Sequence, residues 1–274
     1  MTTSEQAGSR GPLRVVFVHG LFSGPEVWRR FTELLGDDPQ VDAETFVFAY
    51  RSPFAAGRVY RQVPEPDDVA DHLATYLERF GPDDHVVLVG HSQGGLIIQR
   101  YLSRTLRAGE GPRLEPVKAV VLYACPNNGA MFRAQLRKYT RPIRRNPQER
   151  ELRVFNRDVL ETQRHVLAAV VGALGRGPAQ WPVPIHAYGG TSDRVVPVKE
   201  ARGPFKEGGV LPGDHFGVIQ PRSADAESYR VLRARLLAVR RAHSAEPEHA
   251  AVAAARHDGA PLQGTVDARQ PAPS

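Results

Sequence analysis

Val86-Val87-Leu88-Val89-Gly90-His91-Ser92-Gln93-Gly94-Gly95-Leu96-Ile97-Ile98 is the stretch whose reading decides the fold. A short apolar run meets Gly-His-Ser-Gln-Gly and passes straight into a helical pattern. The run is too short and too β-branched for a helix, so it reads as a fully buried strand. Gly90 and Gly94 flank Ser92 as G-x-S-x-G. That spacing suits a sharp strand-to-helix turn, where backbones approach closely and the neighbours must lack bulk. Such a turn lifts one hydroxyl out of the sheet at a helix N-terminus, where free backbone N–H groups favour developing negative charge. Ser92 is therefore a candidate nucleophile. The plainer alternative is a glycine-rich connection in which Ser92 only caps the helix.

The chain around this stretch has 274 residues, 41% of them hydrophobic and 24% charged, an ordinary globular composition. One α/β domain plus loops fills that length. The single cysteine, Cys125, excludes an internal disulfide. The first dozen residues hold no apolar signal segment, and no apolar run approaches membrane-spanning length. The expectation is a soluble, cytoplasmic protein. The net charge of +6 is mild and falls short of a dedicated nucleic-acid binder.

Further strands are expected at Leu13 to Gly20, Glu44 to Tyr50, Val117 to Ala124 and Val183 to Gly189, with a weaker one near Gly209 to Leu211. Helical spacing appears at Glu26 to Leu35, with Trp28 across its top, at Asp67 to Phe80, from the elbow to about Leu106, and from Ser223 to about Arg241. Strands alternate with helices, which implies a mainly parallel, doubly wound sheet covered on both faces. Residues 1–12 read as a disordered leader, 13–241 as the domain and 242–274 as a disordered tail poor in large apolar residues. Residues 131–180 are too long for one crossover and read as a basic helical cap. Its first part carries Arg133, Arg137, Lys138, Arg141, Arg144, Arg145 and Arg150. Its second part, with Leu160, Val166, Leu167, Val170 and Leu174, has the spacing of an amphipathic helix. An insertion on this edge overhangs the C-terminal ends of the strands, where ligands bind in open α/β sheets. The alternative is a solvated basic helix pair with no role in binding.

A serine needs a base within hydrogen-bond reach, and the base needs a third group to fix its tautomer. In sheets of this kind the chain order is Ser, then Asp or Glu, then His. Asp193, in Gly-Gly-Thr-Ser-Asp-Arg, leaves the end of a strand and is the expected acid; it also suits an Asx turn. Asp214 is the rival, but it adjoins His215 and cannot easily face that ring's Nδ1. His215, in Gly-Asp-His-Phe-Gly before the last helix, is the expected base. The oxyanion needs two N–H donors. Gln93 supplies one and Leu21, in the loop after the first strand, the other, with Phe22 as fallback. His19 and His91 read as packing and hydrogen-bonding supports.

Together, His-Gly-Leu-Phe-Ser-Gly, Gly-His-Ser-Gln-Gly, Gly-Thr-Ser-Asp-Arg-Val-Val-Pro and Gly-Asp-His-Phe resemble the α/β-hydrolase superfamily over about Leu13 to Arg241. Cys125-Pro126-Asn127-Asn128-Gly129 resembles the Thr-Pro-His-x-Gly loop of lipase-like members, with Cys125 for threonine and Asn127 for histidine. Those departures point away from a true triglyceride lipase. The Asp-His-Phe-Gly-Val-Ile-Gln-Pro run resembles the histidine loop of serine-active-site lipases and esterases. The resemblance implies an α/β-hydrolase fold, a Ser92–His215–Asp193 triad and ester hydrolysis through an acyl-enzyme, with no metal and no cofactor. The expected substrate is a small-molecule acyl or lipid-like ester. Phe22, Met131 and Phe132, with Trp28 and Phe54, either line an acyl pocket or are ordinary core. The basic cap either meets an anionic membrane surface weakly or serves as solubility charge. Thioester hydrolysis or acyl transfer by the same triad, and a non-catalytic binding scaffold, are the alternatives. The sequence sets no oligomeric state.

Overall fold

A computed structural model describes residues 11–21, 23–51, 65–128 and 149–257. The apolar runs become parallel strands: β1 (Leu13–Val18), β2 (Ala43–Phe48), β3 (His85–His91), β4 (Val117–Tyr123), β5 (Ile185–Gly190) and β6 (Gly208–Leu211). Their order across one sheet is β2-β1-β3-β4-β5-β6. The helices are α1 (Arg29–Gly36), α2 (Pro66–Leu77), α3 (Gln93–Arg107), α4 (Glu149–Val166), α5 (Val198–Arg202) and α6 (Glu227–His257).

Successive side chains of the central strands feed two cores, one on each face. Val16, Val18, Leu88, Val120 and Leu122 pack with residues of α2, α3 and α4. Val15, Phe17, Val87, Val89 and Val121 pack with residues of α1 and α6. Burial on both faces is why these strands read as continuous apolar runs and not as alternating ones. The chain steps outward from β1 to β2, returns past β1 and then builds in the opposite direction from β3. That reversal sets the C-terminal ends of β1 and β3 side by side, with Val18 opposite Gly90. A crevice at such a switch point is where an open α/β sheet binds its ligand.

Four details differ from the sequence reading. Trp28 is not across the top of a helix. It is fully buried in a 3-10 turn before α1, with its ring 4.8 Å from Phe17 and 5.8 Å from Phe31, and is therefore core. Gly11 and Pro12 do not belong to a loose leader, because Pro12 O accepts the His85 N–H at 3.0 Å. In the insertion, Val166 and Val170 are buried, but Leu160 and Leu174 face outward. The helix passes through a π turn at Leu167–Val171 and ends at Gly172, so Leu174 lies beyond it. The closing helix continues past Arg241 to His257. The added segment is rich in alanine, the best helix former, although it lacks the large apolar residues that mark a core.

α4 lies along α3: Arg100 donates to Thr162 at 2.8 Å, and Ser103 pairs with His165 at 3.0 Å. Most of the basic cluster falls at 129–148, outside the described residues. Among the described residues no helix is long and apolar enough to cross a membrane.

α6 is clamped to the end of α1 through Asp38. Arg233 Nε donates to Asp38 Oδ2 at 2.5 Å, and the Tyr229 hydroxyl lies 3.1 Å from the same oxygen. The Arg233 hydrogen bond, against the opposing effect of burial, holds the Asp38 carboxyl below its ordinary range. A lowered carboxyl stabilises the fold above its unfolded pKa of about 3.9 and loses that contribution as pH falls through the folded value. Asp38→Ala is therefore expected to cost about 1–2 kcal/mol at pH 7 in urea unfolding. The difference from wild type should shrink once the pH drops below about 3.9.

Candidate active site

Ser92 joins β3 to α3 with φ 51° and ψ −122°. A residue with a side chain stores roughly 1–3 kcal/mol in such a conformation, so its surroundings must over-determine it. Ser92 N–H donates to Tyr123 O at 3.0 Å, and Gly95 N–H donates to Ser92 O at 3.1 Å. A Cβ at Gly94 would collide with the carbonyl oxygens of Val18 and His19 at the end of β1. A Cβ at Gly90 would stand 2.7 Å from Gly95 Cα. Bare backbone at these positions lets α3 press against both strands while the turn stays tight.

Asp193 and His215 arrive from turns after β5 and β6. Thr191 N–H donates to Leu211 O at 2.8 Å and Ser192 N–H to Gly213 O at 3.0 Å, so the two turns are tied to each other. His215 Nδ1–H donates to Asp193 Oδ2 at 2.9 Å. Asp193 Oδ1 accepts from Val195 N–H at 2.7 Å and Val196 N–H at 2.8 Å. The carboxylate is thereby oriented and supplied with donors. With its proton on Nδ1, His215 presents a bare Nε2 to Ser92 Oγ at 3.1 Å. All three residues are buried. The structure thus brings together the serine, acid and histidine named from sequence. Asp214 stays apart: its Oδ1 accepts from Gly217 N–H at 2.8 Å and caps the turn after His215.

The loop after β1 is fixed by His19. Its Nδ1–H donates to Gly20 O at 3.0 Å, its Nε2 accepts from Tyr50 N–H at 3.3 Å, and its ring stacks on Tyr50 at 4.2 Å. Burial lowers its pKa and favours the neutral ring. A Cβ at Gly20 would lie 2.9 Å from Ser92 Cβ, so the backbone leading to Leu21 runs against the serine. Gln93 opens α3, where its N–H belongs to the unbonded first turn. Phe22, Phe54, Met131 and Phe132 fall outside the described residues. Among the described residues no group of three or more His, Cys, Asp or Glu side chains is placed to hold a metal ion.

Residues 15–268 match the sequence profile described as the alpha/beta hydrolase family. The chain belongs to the alpha/beta hydrolase family. Its fold is similar to that of a monoacylglycerol lipase from Paleococcus ferrophilus, with 16% identity over 84% of this chain and 96% of that one and a TM-score of 0.52. A thermophilic esterase from Thermogutta terrifontis aligns at 20% identity over 85% and 92% of the two chains, TM-score 0.51. A structure from work on carboxylesterases of the ammonia-oxidizing Thaumarchaeon Nitrososphaera gargenis aligns at 18% over 85% and 92%, TM-score 0.52. These identities make the likeness one of fold. No curated protein matches the sequence.

Within this alpha/beta hydrolase, the two departures in the loop after β4 form part of a buried polar network. Gln99 Nε2, in α3, donates to Asn127 Oδ1 at 2.9 Å and lies 3.6 Å from Cys125 Sγ. Asn127 Nδ2 donates onward to Ala201 O, in α5, at 2.5 Å. Asn127 therefore ties the elbow helix to the helix that follows the Asp193 turn. Burial pushes the Cys125 thiol well up, which favours the neutral thiol over the reactive thiolate. Sequence reasoning did not find Gln99. The available signal was a single amide among Ile97, Ile98, Tyr101 and Leu102, all buried. Asn127→Ala removes the shortest acceptor of Gln99 Nε2, which keeps Gly95 O at 3.3 Å, and takes the side-chain donor from the Ala201 carbonyl. Its expected cost is about 1–3 kcal/mol in urea unfolding, chiefly from the buried Ala201 carbonyl that loses its donor.

Proposed function

We propose that the protein is a carboxylic-ester hydrolase with Ser92 as nucleophile, His215 as general base and then acid, and Asp193 as the group that orients and stabilises His215. The observation that carries this reading is the unbroken hydrogen-bonded line from Ser92 Oγ through His215 to Asp193.

As Ser92 Oγ attacks an ester carbonyl carbon, its proton passes to His215 Nε2. The carbonyl oxygen becomes an oxyanion and rests on the N–H groups of Gln93 and Leu21, each worth about 3 kcal/mol in the transition state. Collapse breaks the bond to the leaving alcohol, which departs with the proton from His215 Nε2. Water then gives a proton to His215 and its oxygen to the acyl carbon. A second collapse releases the acid and returns the proton to Ser92 Oγ. Throughout, Asp193 stays ionised and steadies the imidazolium through Nδ1. Phe22, Met131 and Phe132 are assigned to the acyl side of a small-molecule substrate. Their placement follows from the sequence, in the loop after β1 and in the insertion.

Turnover of short-chain p-nitrophenyl esters tests the proposal. Ser92→Ala should lower kcat by roughly 10⁵–10⁶-fold and abolish labelling by a fluorophosphonate. Asp193→Asn should lower kcat by roughly 10³–10⁴-fold with the fold intact, because the imidazole then loses its preferred tautomer. Equal turnover by Ser92→Ala and wild type would remove Ser92 from the chemistry. Thioester analogues of the same acyl groups, run in parallel, would reassign the leaving group to a thiol if they alone were cleaved.

A further inference from the structure

We infer that His91 is a positioning residue for His215, acting through a hydrogen bond to the His215 backbone; the inference rests on the reading of His215 as the base for Ser92. His91 is fully buried, and its Nε2–H donates to His215 O at 2.8 Å. A carbonyl only accepts, so Nε2 carries the proton and Nδ1 is left bare. That Nδ1 has no donor among the described residues and lies against Gly20, where a Cβ would come within 3.1 Å of it. Desolvation, followed by the proximity of His215, presses His91 toward its neutral form. The ring is therefore a neutral strut with one donor, and that donor is spent on His215.

The strut has a specific target. In the turn that carries His215, the Asp214 and Phe216 carbonyls are taken by the N–H groups of Val218 and Ile219. The carbonyl between them turns inward to His91. Nothing along the local chain substitutes for a donor arriving from 124 residues away. The His91 ring also packs 4.7 Å from the His215 ring, while Phe216 covers both at 5.6 Å and 5.2 Å. Trp28 closes the far side edge-on at 6.4 Å. His91 adjoins Ser92 in the chain, so one residue couples the height of the nucleophile to the backbone of its base. It also forms part of the floor under Gly20, where the loop to Leu21 begins. Because the ring is neutral, it does this without placing a second charge beside His215 when that imidazole takes the Ser92 proton.

Methionine and glutamine separate donor from bulk, since the two side chains are close in length and shape and only glutamine carries an N–H. His91→Met should lower kcat for a short-chain ester about 10- to 100-fold, with KM within about twofold of wild type. It should also weaken the downfield N–H resonance of His215. His91→Gln should recover most of the lost kcat and the resonance. A folded His91→Met with wild-type kcat would overturn the inference. So would a folded His91→Gln as impaired as His91→Met, because packing alone would then explain the loss. If His91→Met does not fold, His91→Gln decides alone: a folded protein with kcat near wild type supports the strut, and one with kcat down tenfold or more removes it. Ser92→Ala assayed alongside keeps the two readings apart. Loss of turnover there with full kcat in His91→Met sinks only the strut, whereas full turnover in Ser92→Ala sinks the base reading and the strut together.

Discussion

The backbone of one residue, Ser92, is the constraint on which the structure turns. At φ 51° it departs from both the strand before it and the helix after it. The turn survives only because α3 touches β1 and β3 without side chains between them. Gly94 meets the last carbonyls of β1, and Gly90 meets Gly95. The strain of roughly 1–3 kcal/mol is small beside the two apolar cores that hold the strands and α3 in place. A hydroxyl buried at the end of a central strand therefore stands clear of the sheet and at the positive end of a helix.

Asp193 and His215 come from turns that are each other's scaffold. Thr191 and Ser192 N–H groups bond to the β6 side, while Asp193 accepts two N–H groups from its own turn and one from His215. The carboxylate has little freedom left to reorient when charge moves. Under the proposed function this is preorganisation in a concrete sense: the dipoles that would stabilise an imidazolium are already fixed by backbone, and the reaction would not pull them from water.

The strands and the meeting of Ser92, Asp193 and His215 were legible in the sequence because each leaves a local mark. Two-sided burial gives unbroken apolar runs, and the elbow needs small residues at fixed offsets from Ser92. The chain order after Ser92 then narrows the choice of acid and base. What was not legible depends on contacts that have no local mark. Trp28 reads as amphipathic helix but completes a cluster with Phe17 and Phe31. The alanine-rich run to His257 is helical by propensity and not by core-facing pattern. Gln99 and Asn127 look like stray amides until the fold makes each the partner of the other.

Three buried histidines cluster here, and the role proposed for one of them depends on how the other two are disarmed. His19 gives its proton to Gly20 O, and its remaining nitrogen accepts a backbone N–H from Tyr50. His91 gives its proton to His215 O, and its remaining nitrogen faces backbone at Gly20. Neither offers a free lone pair to a group that can lose a proton. His215 gives its proton to a carboxylate, and its remaining nitrogen faces a hydroxyl. Burial alone would not distinguish the three rings, since each is shielded from water. The distinction lies in the acceptor that fixes the tautomer and in what the opposite nitrogen then meets. A carboxylate on one side and a serine on the other is the one arrangement of the three that rewards protonation of the ring.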